Sequence, residues 1–151
     1  MIETVDTRGV SVTLKDGKFK IKVPSNLKGD NRREEIKRKF IEWYKKEARI
    51  KYNERVEFYR KKLGVSYNKI SIRDQKTRWG SCSNKGNLNF NWRLIMAPPP
   101  ILDYIVVHEM AHLVHANHGG DFWKLVENII PDYREKREWL RLNGYKLMNI
   151  I

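Results

Sequence analysis

The sequence predicts an α+β fold, with a small antiparallel sheet packed on helices, in a single domain over residues 1–151. Three observations carry that prediction. Residues 10 to 23 alternate apolar and polar side chains around Asp16-Gly17. Apolar residues recur every three or four positions from Ile36 to Leu63. A second alternating region, residues 68 to 95, ends at three prolines and is followed by an almost wholly apolar helix. Strands, a long helix, more strands and then helices is the element order of an α+β domain.

Asp-Gly is a two-residue hairpin signal, because a tight hairpin turn favours positive φ at both positions, so VSVTLKDGKFKIKV reads as two strands. PSNLKGDN breaks the alternation, and Asp30 or Asn31 supplies a helix N-cap. Ile36, Phe40, Trp43, Tyr44, Ala48, Tyr52, Val56, Tyr59 and Leu63 then mark one face of a single long helix, closed by Gly64. Ile70 and Ile72 alternate with polar neighbours, as do Leu88 and Phe90, and Gly86 in SNKGN suits a short hairpin turn. Three consecutive prolines, Pro98 to Pro100, exclude a continuing strand but suit the first turn of a helix. That helix is expected from about Pro99 to about His115. Two more are expected from about Gly120 to Ile130 and from Asp132 to Asn143, the last closed by Gly144.

With 40% apolar and 11% aromatic residues in a chain of 151, a real core is affordable and a disordered chain is excluded. Cys82 is the single cysteine, so no internal disulfide forms, and its side chain is expected to act as a small buried hydrophobe. Neither a signal peptide nor a run of 18 apolar residues is present, and a soluble, cytoplasmic monomer without membrane attachment is expected. The net charge is +13, from 31 Lys and Arg against 18 Asp and Glu. Such an excess attracts polyanions, nucleic acid among them. Residues 28 to 62 alone carry 14 basic against 7 acidic side chains, which reads as a solvated helix face or as a nucleic-acid surface.

All four histidines, His108, His112, His115 and His118, fall within VVHEMAHLVHANHGGDFW, residues 106 to 123. Ionisable groups on an apolar helix are costly to bury without a partner, and a divalent cation suits neutral imidazoles. His108-Glu109-x-x-His112 places two imidazoles one turn apart, in reach of one zinc ion, with Glu109 as general base toward a metal-bound water. His115 lies roughly 10 Å along the helix axis from His108 and is too distant to share the ion, so it is expected beside the site or at the helix end. His118 lies beyond Asn117, a residue suited to a left-handed turn, and is the expected third ligand. Glu127, one helix later, competes for that place, and Asp121 is expected to cap the helix between. The H-E-x-x-H-x5-H spacing matches the metzincin pattern, except that His115 stands where that pattern has glycine. Three protein ligands leave one position to water, which points to hydrolysis.

The segment from Thr77 to Trp123 resembles the core of the YgjP-like metallopeptidase-domain proteins, relatives of the SprT-like and WLM proteases. The resemblance rests on Arg78-Trp79-Gly80-Ser81-Cys82, Asn91-Trp92-Arg93-Leu94, His108 to His112, and Asn117-His118 with Phe122-Trp123. It departs at Gly119, where the family usually has serine. It implies a zincin-like fold, Zn2+ on His108, His112 and His118, Glu109 as catalytic base, and a hairpin over residues 79 to 90 beside the active-site helix, able to pair with an extended peptide. Arg78, Trp79 and Arg93 are candidate substrate-binding residues, with an internal ion pair as the competing role for the arginines and the core as that of Trp79, Trp92 and Trp123. Peptide-bond hydrolysis leads. Nucleotide phosphohydrolysis with Arg78 and Arg93 on the phosphates is the alternative, and a zinc-stabilised nucleic-acid-binding module, or a protease acting on DNA-bound proteins, is the third.

Overall fold

The computed structural model describes residues 2–5 and 8–150. The chain divides between Lys46 and Glu47 into two compact units. In the first, β2 (Ser11–Lys15) and β3 (Lys18–Pro24) form the expected hairpin, with Val12 opposite Ile21 and Leu14 opposite Phe19. Its turn has φ of 52° at Asp16 and 73° at Gly17, the mirror-image geometry that matches strand twist. A strand that the alternation does not reveal, β1 (Ile2–Val5), pairs parallel to β3; four residues are too few to fix a period. The first part of α1 (Gly29–Leu63) closes this unit by setting Ile36 and Phe40 against Val10, Ile21 and Val23. Phe19 meets Phe40 and Trp43 edge to face at 5.2 and 5.0 Å.

The second unit takes α1 from Glu47 onward and adds β4 (Lys69–Arg73), β5 (Gly80–Cys82), β6 (Asn87–Asn91), a 3-10 helix (Trp92–Met96), α2 (Pro99–Ala111), α3 (Gly120–Ile129) and α4 (Tyr133–Met148). The architecture is α+β, as expected, but the sheet is mixed where an antiparallel one was expected. Its order is β4-β6-β5, with β5 antiparallel and β4 parallel to β6. Residues 74 to 79 carry the chain past the place beside β4, which β6 then fills; β5 is left on the edge. The other differences lie at helix ends. α2 stops at Ala111, four residues early, because the amides of Leu113 and Val114 bond three residues back and tighten the turn. α4 runs on through Gly144 to Met148. A Cβ on Gly144 would lie 2.9 Å from Cζ2 of Trp79, so this glycine admits the indole against α4 and does not end the helix.

α1 grips both β6 and α2. Tyr52 of α1 stacks on Phe90 at 4.5 Å, and its hydroxyl donates to the Asn91 carbonyl at 2.8 Å. The Arg55 guanidinium donates to both Asp103 carboxylate oxygens, at 2.9 and 2.8 Å, and the Tyr59 hydroxyl donates to the same carboxylate at 2.9 Å. A planar two-point ion pair of this kind fixes orientation as well as distance. Val106, Val107 and Met110 are fully buried, and α2 packs on α3, α4 and β5. Among the described residues no helix is long and apolar enough to cross a membrane.

Candidate metal centre

α2 ends where its chemistry begins. Its 3.6-residue period sets His108 and His112 on one face, and His112 is itself the C-terminal cap. The chain turns through residues 112 to 117 and enters α3 at Gly120, which brings His118 back over the helix end. Asn117 does so without a left-handed conformation, since Asp16 is the only non-glycine with positive φ among the described residues. Nε2 of His118 lies 3.0 Å from Nε2 of His112 and 3.3 Å from Nε2 of His108. Two nitrogens bound tetrahedrally to one zinc ion at about 2.05 Å lie about 3.3 Å apart, so this donor set has the spacing that the ion requires. Among the described residues no other His, Cys, Asp or Glu cluster converges in this way.

The protonation of the rings agrees with that use. The Nδ1 of His112 faces the His115 carbonyl at 3.1 Å. A carbonyl only accepts, so Nδ1 donates there and Nε2 is the nitrogen left to face an ion. His115 thus serves through its backbone, beside the site as expected. Burial lowers the His108 pKa to about 4, with the neighbouring His112, His118 and Arg137 acting the same way. The same burial, His112 and Arg137 lower that of His118. Nδ1 of His108 is buried without a hydrogen-bond partner, and its ring is oriented by packing instead. Phe122 and Trp123 lie 5.1 and 5.6 Å away, and Phe122 also stacks on His112 at 4.5 Å.

Glu109 is only 6% exposed, and burial raises its pKa to about 7 against the opposing charge of Arg78. Gly80 makes room for it. A Cβ there would lie 2.9 Å from Glu109 Cγ and 3.0 Å from the Asn89 carbonyl oxygen. Glu109 lines a groove of about 700 Å3 that runs past His108, His112 and His118 to residues 80–86 of β5 and its turn. Cys82 lies in that groove, half-buried, its thiol pKa raised by burial and then by Glu109.

The remaining candidates separate cleanly. Glu127 is on α3 in an exposed pair with Arg134 at 3.8 Å, and it is His118, not Glu127, that lies with His108 and His112. Asp121 sits in the first turn of α3, but the N-cap is Gly119 and no side chain caps it. Arg93, expected as a substrate-binding candidate, is engaged inside the fold instead. It is 1% exposed and donates to the Leu147 carbonyl at 3.2 Å and to Asp74 at 3.3 Å, an internal ion pair. Trp92 is wholly buried, whereas Trp79 and Arg78 line a second cavity next to Glu109. Sequence reasoning missed Gly80, Tyr104, Arg137 and Gly144. Gly80 lies within Arg78-Trp79-Gly80-Ser81-Cys82, and nothing local in the last helix sets Arg137 apart from its other charged residues.

The family profile described as YgjP-like, metallopeptidase domain, matches residues 4–143. The chain belongs to that family. Among solved structures it is similar to the metallopeptidase zymogen of Pyrococcus abyssi abylysin, with a TM-score of 0.54 and 24% identity over 61% of this chain and 95% of that one. At that identity the likeness establishes a shared, zincin-like fold. No curated protein matched the chain. The YgjP-like domain therefore has a metallopeptidase-family fold with three histidines set to hold a metal.

Proposed function

We propose that this YgjP-like domain is a zinc-dependent metallopeptidase of the H-E-x-x-H-x5-H type, with His108, His112 and His118 as ligands and Glu109 as general base. The observation that carries the reading is the convergence of three Nε2 atoms beside a buried carboxyl whose pKa is raised to about 7. Zinc, when bound, polarises the scissile carbonyl and makes water a nucleophile near neutral pH. The chain supplies the rest. Near neutrality the Glu109 carboxylate takes a proton from the attacking water and returns it to the nitrogen that leaves, a task for which a pKa near the working pH is best. The groove along the open edge of β5 receives an extended peptide by strand addition. The nucleotide alternative needs Arg78 and Arg93 together on phosphates, and the engagement of Arg93 inside the fold argues against it. Glu109→Gln is expected to retain stoichiometric zinc and lose peptide hydrolysis. Undiminished hydrolysis by that variant refutes the assignment.

A further inference from the structure

A second cavity, of about 420 Å3, shares Gly80, His108 and Glu109 with the groove along β5. Its lining is divided by chemistry. Tyr104 and Ile105 of α2, Leu140 of α4 and Trp79 are its apolar residues; Arg78, Arg137 and Arg141 are its charged ones besides Glu109. Arg141 is held by Glu138 at 2.9 Å. Arg78 and Arg137 enter no ion pair among the described residues, unlike Arg55 and Arg93. Arg137 is nevertheless braced, its guanidinium 5.1 Å from the centre of the Trp123 ring. Stacking of this kind leaves the N–H fork free for an anion in its plane.

The two guanidiniums act on the same small region from different elements. Arg137, on α4, lines the cavity beside Tyr104 and His108. Arg78, just before β5, lines it beside Gly80 and Glu109. Because the two cavities share Gly80, His108 and Glu109, a peptide bond presented to Glu109 would have one neighbour along β5 and the other toward the arginines. We infer that the second cavity seats a carboxylate of the peptide substrate between Arg78 and Arg137, immediately beside the bond that is cleaved. This rests on the metallopeptidase reading and narrows its substrate class. The apolar lining takes the methylene groups that carry the carboxylate, and the two cations take its charge. An acidic side chain next to the cleaved bond and the α-carboxylate of a peptide's last residue present the same chemistry.

The test uses the zinc-loaded full chain and peptides that differ only as Glu or Gln on either side of the mapped cleavage site. Each is made with a free and with an amidated C-terminus. Charge-assisted hydrogen bonds from two arginines are expected to favour the carboxylate peptide about ten-fold or more in kcat/KM. In Arg137→Gln and in Arg78→Gln the ratio should fall to about one, and Arg137→Lys should recover part of it because the charge remains. A preference that follows the Glu side chain assigns an acidic residue; one that follows the free C-terminus assigns the terminal carboxylate. Calorimetric binding of the same peptides to zinc-loaded Glu109→Gln reads the cavity without turnover and should show a carboxylate preference that adding Arg137→Gln or Arg78→Gln removes. Equal handling of acid and amide peptides in both arms overturns the inference, as does a preference that survives both arginine variants with their near-ultraviolet circular dichroism intact. Those results leave the peptidase reading standing when Glu109→Gln is inactive. Cleavage by Glu109→Gln at the wild-type rate sinks that reading instead, and the binding ratio still decides the cavity.

Discussion

Burying Glu109 beside the metal ligands has a stability consequence in the metal-free protein. Its carboxyl binds a proton more tightly folded than unfolded, with a pKa moved from 4.5 to about 7 chiefly by burial. A group raised in this sense contributes stability that is fully present below the unfolded value and lost as pH rises through the folded one. The window is therefore about pH 4.5 to about pH 7, and at about 1.4 kcal/mol per factor of ten in proton affinity the loss is roughly 3 kcal/mol. Glu109→Gln has no proton to lose there. Urea unfolding of chelator-treated wild type and variant, repeated across that range, should show the variant gaining roughly 3 kcal/mol on the wild type by about pH 8. His108 acts in the opposite sense, since a neutral base whose pKa falls to about 4 removes stability as pH drops below 6.5. Both proteins carry it, so it cancels in the difference. A difference that stays flat across the window, or a variant weaker than wild type at the alkaline end, refutes the reasoning.

Other perturbations test the remaining geometry. His118→Ala should weaken zinc binding by more than about a hundredfold, since even outer-sphere partners contribute 10–100-fold, whereas Glu127→Ala should leave it unchanged; competition with a chromophoric chelator measures both. Gly80→Ala presses a methyl group on Glu109 and on the Asn89 carbonyl, and a displaced base should lower kcat roughly ten- to a hundredfold while the zinc content of the purified protein stays the same. Gly144→Ala gains about 1 kcal/mol of helix propensity but must displace Trp79, at about 1–3 kcal/mol, so the midpoint of thermal unfolding should fall.

What the sequence disclosed here was local. His108 and His112 could be read because four residues make one helical turn, and His118 because a short turn returns a chain to the helix it has left. The hairpin at Asp16-Gly17 and the full extent of α1 follow from period and turn chemistry in the same way. The features that escaped are set by neighbours distant in sequence. Arg93 was ambiguous until Asp74 and the Leu147 carbonyl came beside it. Gly144 looked like a helix terminator because nothing nearby signals that Trp79 needs the space. The parallel pairing of β4 with β6 depends on how residues 74 to 79 cross, which alternation does not encode.

Five residues separate His112 from His118. Closing a loop that short costs little chain entropy, and here folding has already closed it, since α2 and α3 fix its ends and Phe122 packs beneath both rings. The spacing of the three imidazoles is thus supported by packing from α2, α3 and Phe122. Most of the second unit's core, from Leu88 and Phe90 to Val106 and Met110, lies apart from the three imidazoles, so chelation is expected to abolish the proposed hydrolysis while leaving the far-ultraviolet circular dichroism in place.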